Sequence, residues 1–347
     1  MKGLVLSERY FSEICVPMIK KKFPAYQERI AAGLVGDGSE CFGFDDEISR
    51  DHDWGPVFCL WLTKEDYRTI GAILQSEINK LPREFAGIKA REESFWGVGR
   101  TGVFETGEFY KRFIGFDRVP ENLREWQVIP ENNLAAATNG KVFTDPVGEF
   151  TVFRERLKAF YPEDVRLKKI ASRCMMMAQA GQYNYTRCIR REEYVAARLA
   201  EAHFINDTIS MVFLLNKQYK PFYKWMHRAM KQLPILGDTT YKLFSELVVD
   251  CGEASKELAY TRKNGLMEEA CRLVIEELKR QQLSDSESDF LLEHGPVVQA
   301  KIKDDRIRQL EDSVRLLQQN LDAVSKVLRL NPIIEEVQSA LQRKKEG

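Results

Sequence analysis

Asp51 and Asp53 flank His52 immediately ahead of the apolar run VFCLWL at positions 57–62. On an extended backbone, residues i and i+2 point to one face roughly 7 Å apart, so the two carboxylates can converge while His52 faces away. That arrangement suits magnesium. A hard cation takes oxygen ligands, and two carboxylates can hold the one or two ions that bridge a nucleotide's phosphates during an in-line displacement. Upstream, the stretch GDGS ends in Gly38 and Ser39. Glycine lets the backbone approach a phosphate closely, and serine adds a hydroxyl beside exposed amides at an expected helix start.

Other metals fit the stretch poorly. A calcium loop needs alternating oxygen ligands, a glycine at its sixth position and a closing glutamate, and that register is missing. Zinc would want more histidine or cysteine than His52 offers. The competing account is structural: Asp45, Asp46, Glu47, Asp51 and Asp53 can also be read as a solvated acidic loop that caps helices and turns. The upstream Gly-Ser and the buried strand that follows favour the metal account, and they demote Asp45, Asp46 and Glu47 to loop and capping roles.

The elements that must position these residues read as follows. Ser7 is a cap for a helix carrying Tyr10, Phe11, Ile14, Met18 and Ile19, and a short helical piece follows Pro24. AGLVGDGS is a short strand entering a glycine turn, and VFCLWL is a fully buried strand. Thr63, with Asp66 three residues on, caps a helix carrying Tyr67, Ile70, Ile73, Leu74 and Ile78 that stops by Pro82. Strand-like pieces follow around Val103 and at GKVFTDPVGEFTVF, where Asp145-Pro146 and Gly148 suggest a hairpin turn. Beyond Tyr161-Pro162 nearly every segment has helical periodicity. The expected architecture is therefore α+β: a mixed sheet with flanking helices over residues 1–159, then an all-α helical bundle over 160–347. Ile307, Leu310, Val314, Leu317, Leu321, Val324 and Leu328 form a coiled-coil-like seam. It packs within the chain's own bundle or against a second copy as a homodimer. SDSES near Ser284 reads as a linker.

With 347 residues, 44% of them apolar, the chain can bury a substantial core. The 52 basic and 52 acidic residues balance, so no global field draws it to nucleic acid or to an anionic membrane. No run of about 18 apolar residues exists, and the start lacks a secretory pattern, so the expected location is cytoplasmic. Seven cysteines without a CxxC pair argue against a disulfide framework and a structural zinc site.

Gly-Ser, a spacer, Asp-x-Asp and an apolar strand together resemble the polymerase-β-like nucleotidyltransferase superfamily, which includes enzymes that adenylylate aminoglycosides. The longer string GSECFGFDDEISRDHDWGP is similar to one branch of it, the bacterial domain of unknown function 4037. The likeness continues through VFTDPVGEF, GQYNYTR and LLNKQYKPFYKW. The resemblance implies a nucleotidyltransferase sheet in which Gly38 and Ser39 hold a triphosphate and Asp51 and Asp53 bind Mg2+. It also implies a third carboxylate from a later strand, as metal ligand or general base. Glu105 is the first choice and Asp145 the second; as alternatives, Glu105 is an exposed strand residue and Asp145 a turn residue. The implied reaction moves a nucleoside monophosphate, AMP from ATP being the expected case, to a hydroxyl of a small molecule.

In the helical half, NKQYKPFYKW sets Lys217, Lys220 and Lys224 among four aromatics. Lysine can meet phosphate as a point charge, and an aromatic can stack a base. Lys224 is the candidate for the triphosphate, and an ordinary amphipathic helix is the alternative. Arg187, Arg190 and Arg191 read as solvated, Cys174 to Met177 as core, and His203, His227 and His294 carry no assignment.

Overall fold

The computed structural model describes residues 1–50, 54–89, 99–249 and 256–307. Helix α1 (Gly3–Tyr10) runs through a π-helical turn (Phe11–Cys15) into α2 (Val16–Lys22), and a 3-10 turn over Pro24–Arg29 leads to β1 (Ala31–Leu34). The first helix begins ahead of Ser7. That side chain is buried inside the helix with its hydroxyl 3.5 Å from the Gly55 carbonyl, so it is not the cap the sequence suggests.

β2 (Cys59–Leu62) leads into α3 (Lys64–Ile78), where the Thr63 hydroxyl accepts from the Asp66 amide at 3.2 Å, as the capping pattern predicts. Asp66 spends its own carboxylate on Arg29, with two hydrogen bonds of 2.9 Å. A small ribbon of β3 (Glu84–Phe85) and β4 (Ile88–Lys89) precedes β5 (Gly102–Glu105). Then come α4 (Thr106–Ile114), α5 (Leu123–Val128), α6 (Glu131–Thr138), β6 (Lys141–Thr144) and α7 (Glu149–Lys158). The DPVG turn thus opens a helix and not a hairpin. Asp145 accepts from the amides of Gly148 at 3.0 Å and Thr151 at 2.7 Å, which satisfies donors at the helix start that a second strand would have paired.

The sheet has the order β5-β2-β1-β6, with β1 antiparallel to both neighbours and β2 parallel to β5. Side chains alternate across it with period two. Ala32, Leu60, Leu62 and Val103 join a core with Tyr10, Phe11, Ile19, Ile70 and Leu74. Ala31, Cys59 and Trp61 belong to the other, larger core, where Trp61 stacks on Phe150 at 3.7 Å.

That larger core extends through the helical half, made of α8 (Glu163–Met177), a π-helical stretch (Ala178–Tyr185), α9 (Thr186–Arg190), α10 (Tyr194–Leu215), α11 (Tyr223–Met230), α12 (Gly237–Leu247), α13 (Lys256–Arg280) and α14 (His294–Ala300). The architecture is α+β, a small mixed sheet followed by helices. Phe160 and Tyr161, where the sequence changes texture, are buried in this same core. SDSES is not a free linker: the Ser284, Ser286 and Ser288 hydroxyls accept in turn from the amides two residues on, and buried His294 bonds the Ser284 hydroxyl at 2.8 Å. Among the described residues no helix is long and apolar enough to cross a membrane. Of the C-terminal seam only Ile307, which is buried, lies within them.

Candidate functional site

Past Leu34 the chain leaves β1 through Val35 into Gly36–Ser39. Asn139, on the approach to β6, holds this exit: its Nδ2 donates to the Gly36 carbonyl at 2.8 Å and its Oδ1 accepts from the Gly36 amide at 2.9 Å. Gly36 and Gly38 take φ of +118° and +129°, a region open to glycine and costly for other residues. A β-carbon on Gly38 would fall 2.6 Å from Arg100 Nη2 and 2.7 Å from Glu40 Oε2. The Gly38 backbone therefore lies against a guanidinium and a buried carboxylate. Arg100, just ahead of β5, also donates to the Asp37 carbonyl. Ser39 is buried; its carbonyl accepts from the Phe44 amide at 2.8 Å, while its hydroxyl makes no hydrogen bond with a described residue.

The acidic residues that follow are structural, as their demotion predicts. Asp45 Oδ2 accepts from the Gly3 amide at 2.8 Å and from Trp54 Nε1 at 3.3 Å, and Oδ1 faces Lys2 at 3.4 Å. Burial works to raise its pKa, and these partners outweigh burial and hold it below the ordinary value. A carboxylate depressed in the folded state adds stability that is fully present above its unfolded value of 3.8 and is lost as the pH falls through the lower folded value. Asp45→Asn is accordingly expected to lower the thermal midpoint at pH 7 and to flatten its acid dependence below about pH 4. Unfolding curves from pH 7 down to pH 2.5 check both. Asp46 caps a local turn by accepting from the Ser49 amide at 3.0 Å and hydroxyl at 2.8 Å, and Glu47 is exposed.

The same loop touches the helical half. Phe44 packs on Trp225 of α11 at 5.8 Å, and the Arg228 guanidinium sits 5.0 Å over the Phe44 ring while donating to its carbonyl at 3.2 Å. Lys224, next to Trp225, is exposed, lies 5.3 Å from that indole and has no carboxylate partner among the described residues. Between loop, α6 and helical half opens a cleft of about 480 Å³, lined in part by Phe42, Phe44, Phe160, Tyr219, Lys158 and Lys217. Gly38, Ser39, Lys224 and this cleft thus share one end of the sheet, the end where β1 finishes.

Glu105 and Asp145 do not. Gly33 pairs with Cys59, Cys59 with Gly102, and Leu62 with Glu105, so Glu105 is three residues, roughly 10 Å, farther from that end. Asp145 follows Thr144, which pairs with Ala32, and β6 runs away from the turn. Both carboxylates instead cap helices: Glu105 accepts from the amides of Gly107 at 3.0 Å and Glu108 at 2.7 Å. Both also sit near Glu149, whose pKa is raised first by burial and then by its neighbours' negative charge. This register sets both carboxylates away from the Gly-Ser turn. Spacing alone could not reveal it, because a strand offers a carboxylate at either end. Asp51 and Asp53 lie outside the described residues, and among the described residues no three histidine, cysteine or carboxylate groups are placed to hold a metal.

Sequence reasoning missed Arg100, Asn139 and the Phe44–Trp225–Arg228 contact. The available signal was weak: an arginine in GRTG and an asparagine before a glycine are common turn chemistry. Of the other candidates, Cys174 and Met177 are core as expected while Met175 and Met176 are exposed, on the opposite side of the helix, and Arg187 lies 4.5 Å from the Tyr183 ring.

Comparison with known proteins agrees with the resemblance read from the motifs. Residues 126–226 match the family model described as domain of unknown function DUF4037. VFTDPVGEF, GQYNYTR and LLNKQYKPFYKW fall inside that segment, and GSECFGFDDEISRDHDWGP falls outside it. No curated protein matches. One solved structure, a nucleotidyltransferase-like protein from Exiguobacterium sibiricum 255-15, aligns over 87% of this chain and 91% of its own, at 12% identity and a TM-score of 0.34.

Proposed function

We propose that the chain binds a magnesium–nucleoside triphosphate at the β1 end of its sheet and transfers the nucleoside monophosphate, AMP from ATP, to a hydroxyl of a small acceptor, releasing pyrophosphate. The observation that carries this reading is the turn itself. The Gly38 backbone lies between the Arg100 guanidinium and the Glu40 carboxylate, beside a Ser39 hydroxyl with no described partner, and the glycine amide, the hydroxyl and the guanidinium are the groups that would meet a phosphate there. Lys224, without a carboxylate partner among the described residues, adds a positive charge on the helix that packs against the same loop.

Asp51 and Asp53 offer two hard oxygen donors, which fit magnesium, and they would hold it. When bound, the ion neutralises phosphate charge. Ser39 and Lys224 orient the triphosphate, and the exposed rings of Phe222 and Tyr223, 4.4 Å apart on the same segment, offer a stacking face for a base. In this account residues 1–159 form the nucleotidyltransferase-like unit and 160–347 the helical one, with the acceptor in the cleft between them. The described lining of that cleft has lysines and no carboxylate. Lys158 is paired with Glu155 at 2.9 Å, which leaves Lys217 as the lysine of the lining without a carboxylate partner among the described residues, so a neutral or anionic acceptor is proposed over a polycationic one.

A second reading, a nucleotide-binding protein of the same fold without transfer, is favoured by the placement of Glu105 and Asp145 away from the turn. Pyrophosphate release separates the two. With Mg-ATP and a low-molecular-mass metabolite extract, the wild type is expected to release pyrophosphate, and Lys224→Met to slow release about 10-fold by losing one phosphate contact. Nucleotide binding without pyrophosphate from any extract fraction selects the second reading.

A further inference from the structure

Away from the Gly-Ser turn, five charged side chains converge beneath α6. Glu131 begins α6, Lys169 and Arg173 lie one turn apart on α8, Asp207 lies on α10 and Lys220 just beyond it. All belong to the segment that matches the DUF4037 model. Both carboxylates have partners. Glu131 accepts the Ser210 hydroxyl at 2.8 and 3.0 Å and faces Arg173 at 3.6 Å; Asp207 faces Arg173 at 3.4 Å and accepts from Asn206 at 3.3 Å.

The donors are not all used. Lys169 Nζ stands 4.0 Å from Glu131 and 5.0 Å over the Tyr161 ring and makes no hydrogen bond among the described residues. The Tyr161 hydroxyl is buried without a hydrogen-bond partner among the described residues, and Tyr161 as a whole is only 5% exposed. Lys220 gives one hydrogen bond, to Asn206 at 2.8 Å, and keeps two donors. Three cations against two carboxylates also leave a net positive charge in a largely buried place. Burial and then the neighbouring cations hold Lys169 below its ordinary pKa. A network serving packing alone normally satisfies each buried member, because an unpaired buried donor is costly. Here what is missing is an acceptor with negative charge.

We propose that this cluster is a binding site for a phosphate group, inorganic or carried by a metabolite, held by Lys169, Lys220 and the Tyr161 hydroxyl. A tetrahedral oxyanion presents several acceptor oxygens, which matches donors converging from three separate elements. The Lys169 and Arg173 side chains are 19% and 24% exposed, which gives the anion a way in from solvent. The site is independent of the nucleotide reading, since none of its residues belongs to the Gly-Ser end of the sheet.

The test is calorimetric titration of the full chain with inorganic phosphate at constant ionic strength, in the wild type and in Lys224→Met, whose affinity for this phosphate should match because Lys224 is not part of the cluster. One saturable phosphate is expected. Lys169→Met should weaken it at least 10-fold and Tyr161→Phe several-fold, while Glu131→Gln, which removes a competing negative charge, should tighten it several-fold. No saturable phosphate, or an unchanged affinity in both Lys169→Met and Tyr161→Phe, overturns the proposal. Should Lys169→Met fail to fold by circular dichroism, an unchanged affinity in Tyr161→Phe alone overturns it. Titration with a phosphate monoester such as glycerol 3-phosphate then separates the two sources: tighter binding than inorganic phosphate assigns the site to a metabolite, and weaker binding to the free ion.

Discussion

Asp51→Asn combined with Asp53→Asn is expected to remove magnesium-dependent nucleotide binding. In the proposed reading the two carboxylates supply the charge that draws the metal, and asparagine keeps their shape while removing it. Loss of the magnesium that these carboxylates would hold should raise the dissociation constant for Mg-ATP at least 100-fold, a cost of about 3 kcal/mol. Binding of ATP in the absence of metal, which rests on the Gly38–Ser39 turn, Arg100 and Lys224, should stay the same. Titrations of wild type and variant with and without magnesium chloride check both halves. If the variant keeps the wild-type magnesium effect, Asp51 and Asp53 belong to an acidic loop and not to a metal site.

Gly140→Ala is expected to be the most damaging single methyl in the described chain. Gly140 takes φ +64°, and its β-carbon would fall 2.0 Å from the Leu34 carbonyl oxygen. The left-handed backbone costs an alanine about 1–2 kcal/mol, and overpacking against backbone that cannot swing aside adds about 1–3 kcal/mol. A loss of about 3 kcal/mol follows, and any relief must come from moving the end of β1 and the turn it feeds. Gly148→Ala is the control. Its φ is +82°, but a β-carbon there meets nothing within 4 Å, so only the backbone cost of about 1 kcal/mol applies. Urea unfolding of the two variants should separate them clearly. Equal losses would mean that the β1 and β6 ends are not in close contact.

Local signals carried most of the fold into the sequence. Thr63 and Asp66 announce α3 because a hydroxyl at a cap finds its amide three residues on, whatever the tertiary surroundings. VFCLWL reads as buried because no polar residue interrupts it, and Cys59–Leu62 are buried on both faces. Ser7 and DPVG misled for a shared reason. A serine or a proline turn signals a boundary without saying which element lies beyond it, and tertiary partners decided. Gly55 and Asp45 set the first helix, and the Asp145 cap turned an expected hairpin into α7.

The site was legible by halves. Gly38 and Ser39 are recognisable because glycine and a hydroxyl beside a strand end have a local rationale. Where Glu105 and Asp145 lie was not legible because register is non-local: which end of β5 or β6 lies beside the turn depends on pairing through β2 and β1. The buried cluster around Glu131 was invisible for the same reason. Its five charges come from four places in the chain, and only packing gathers them.

Hydrogen–deuterium exchange with magnesium and a non-hydrolysable ATP analogue tests the central claim most directly, because the sheet has two distinct ends. Protection is predicted over residues 36–44 and 223–228, where Gly38, Ser39, Phe44 and Lys224 lie, with residues 105–108 and 145–151 unchanged. Protection at 105–108 and 145–151 with none at 36–44 would place the nucleotide at the wrong end of the sheet and contradict the account.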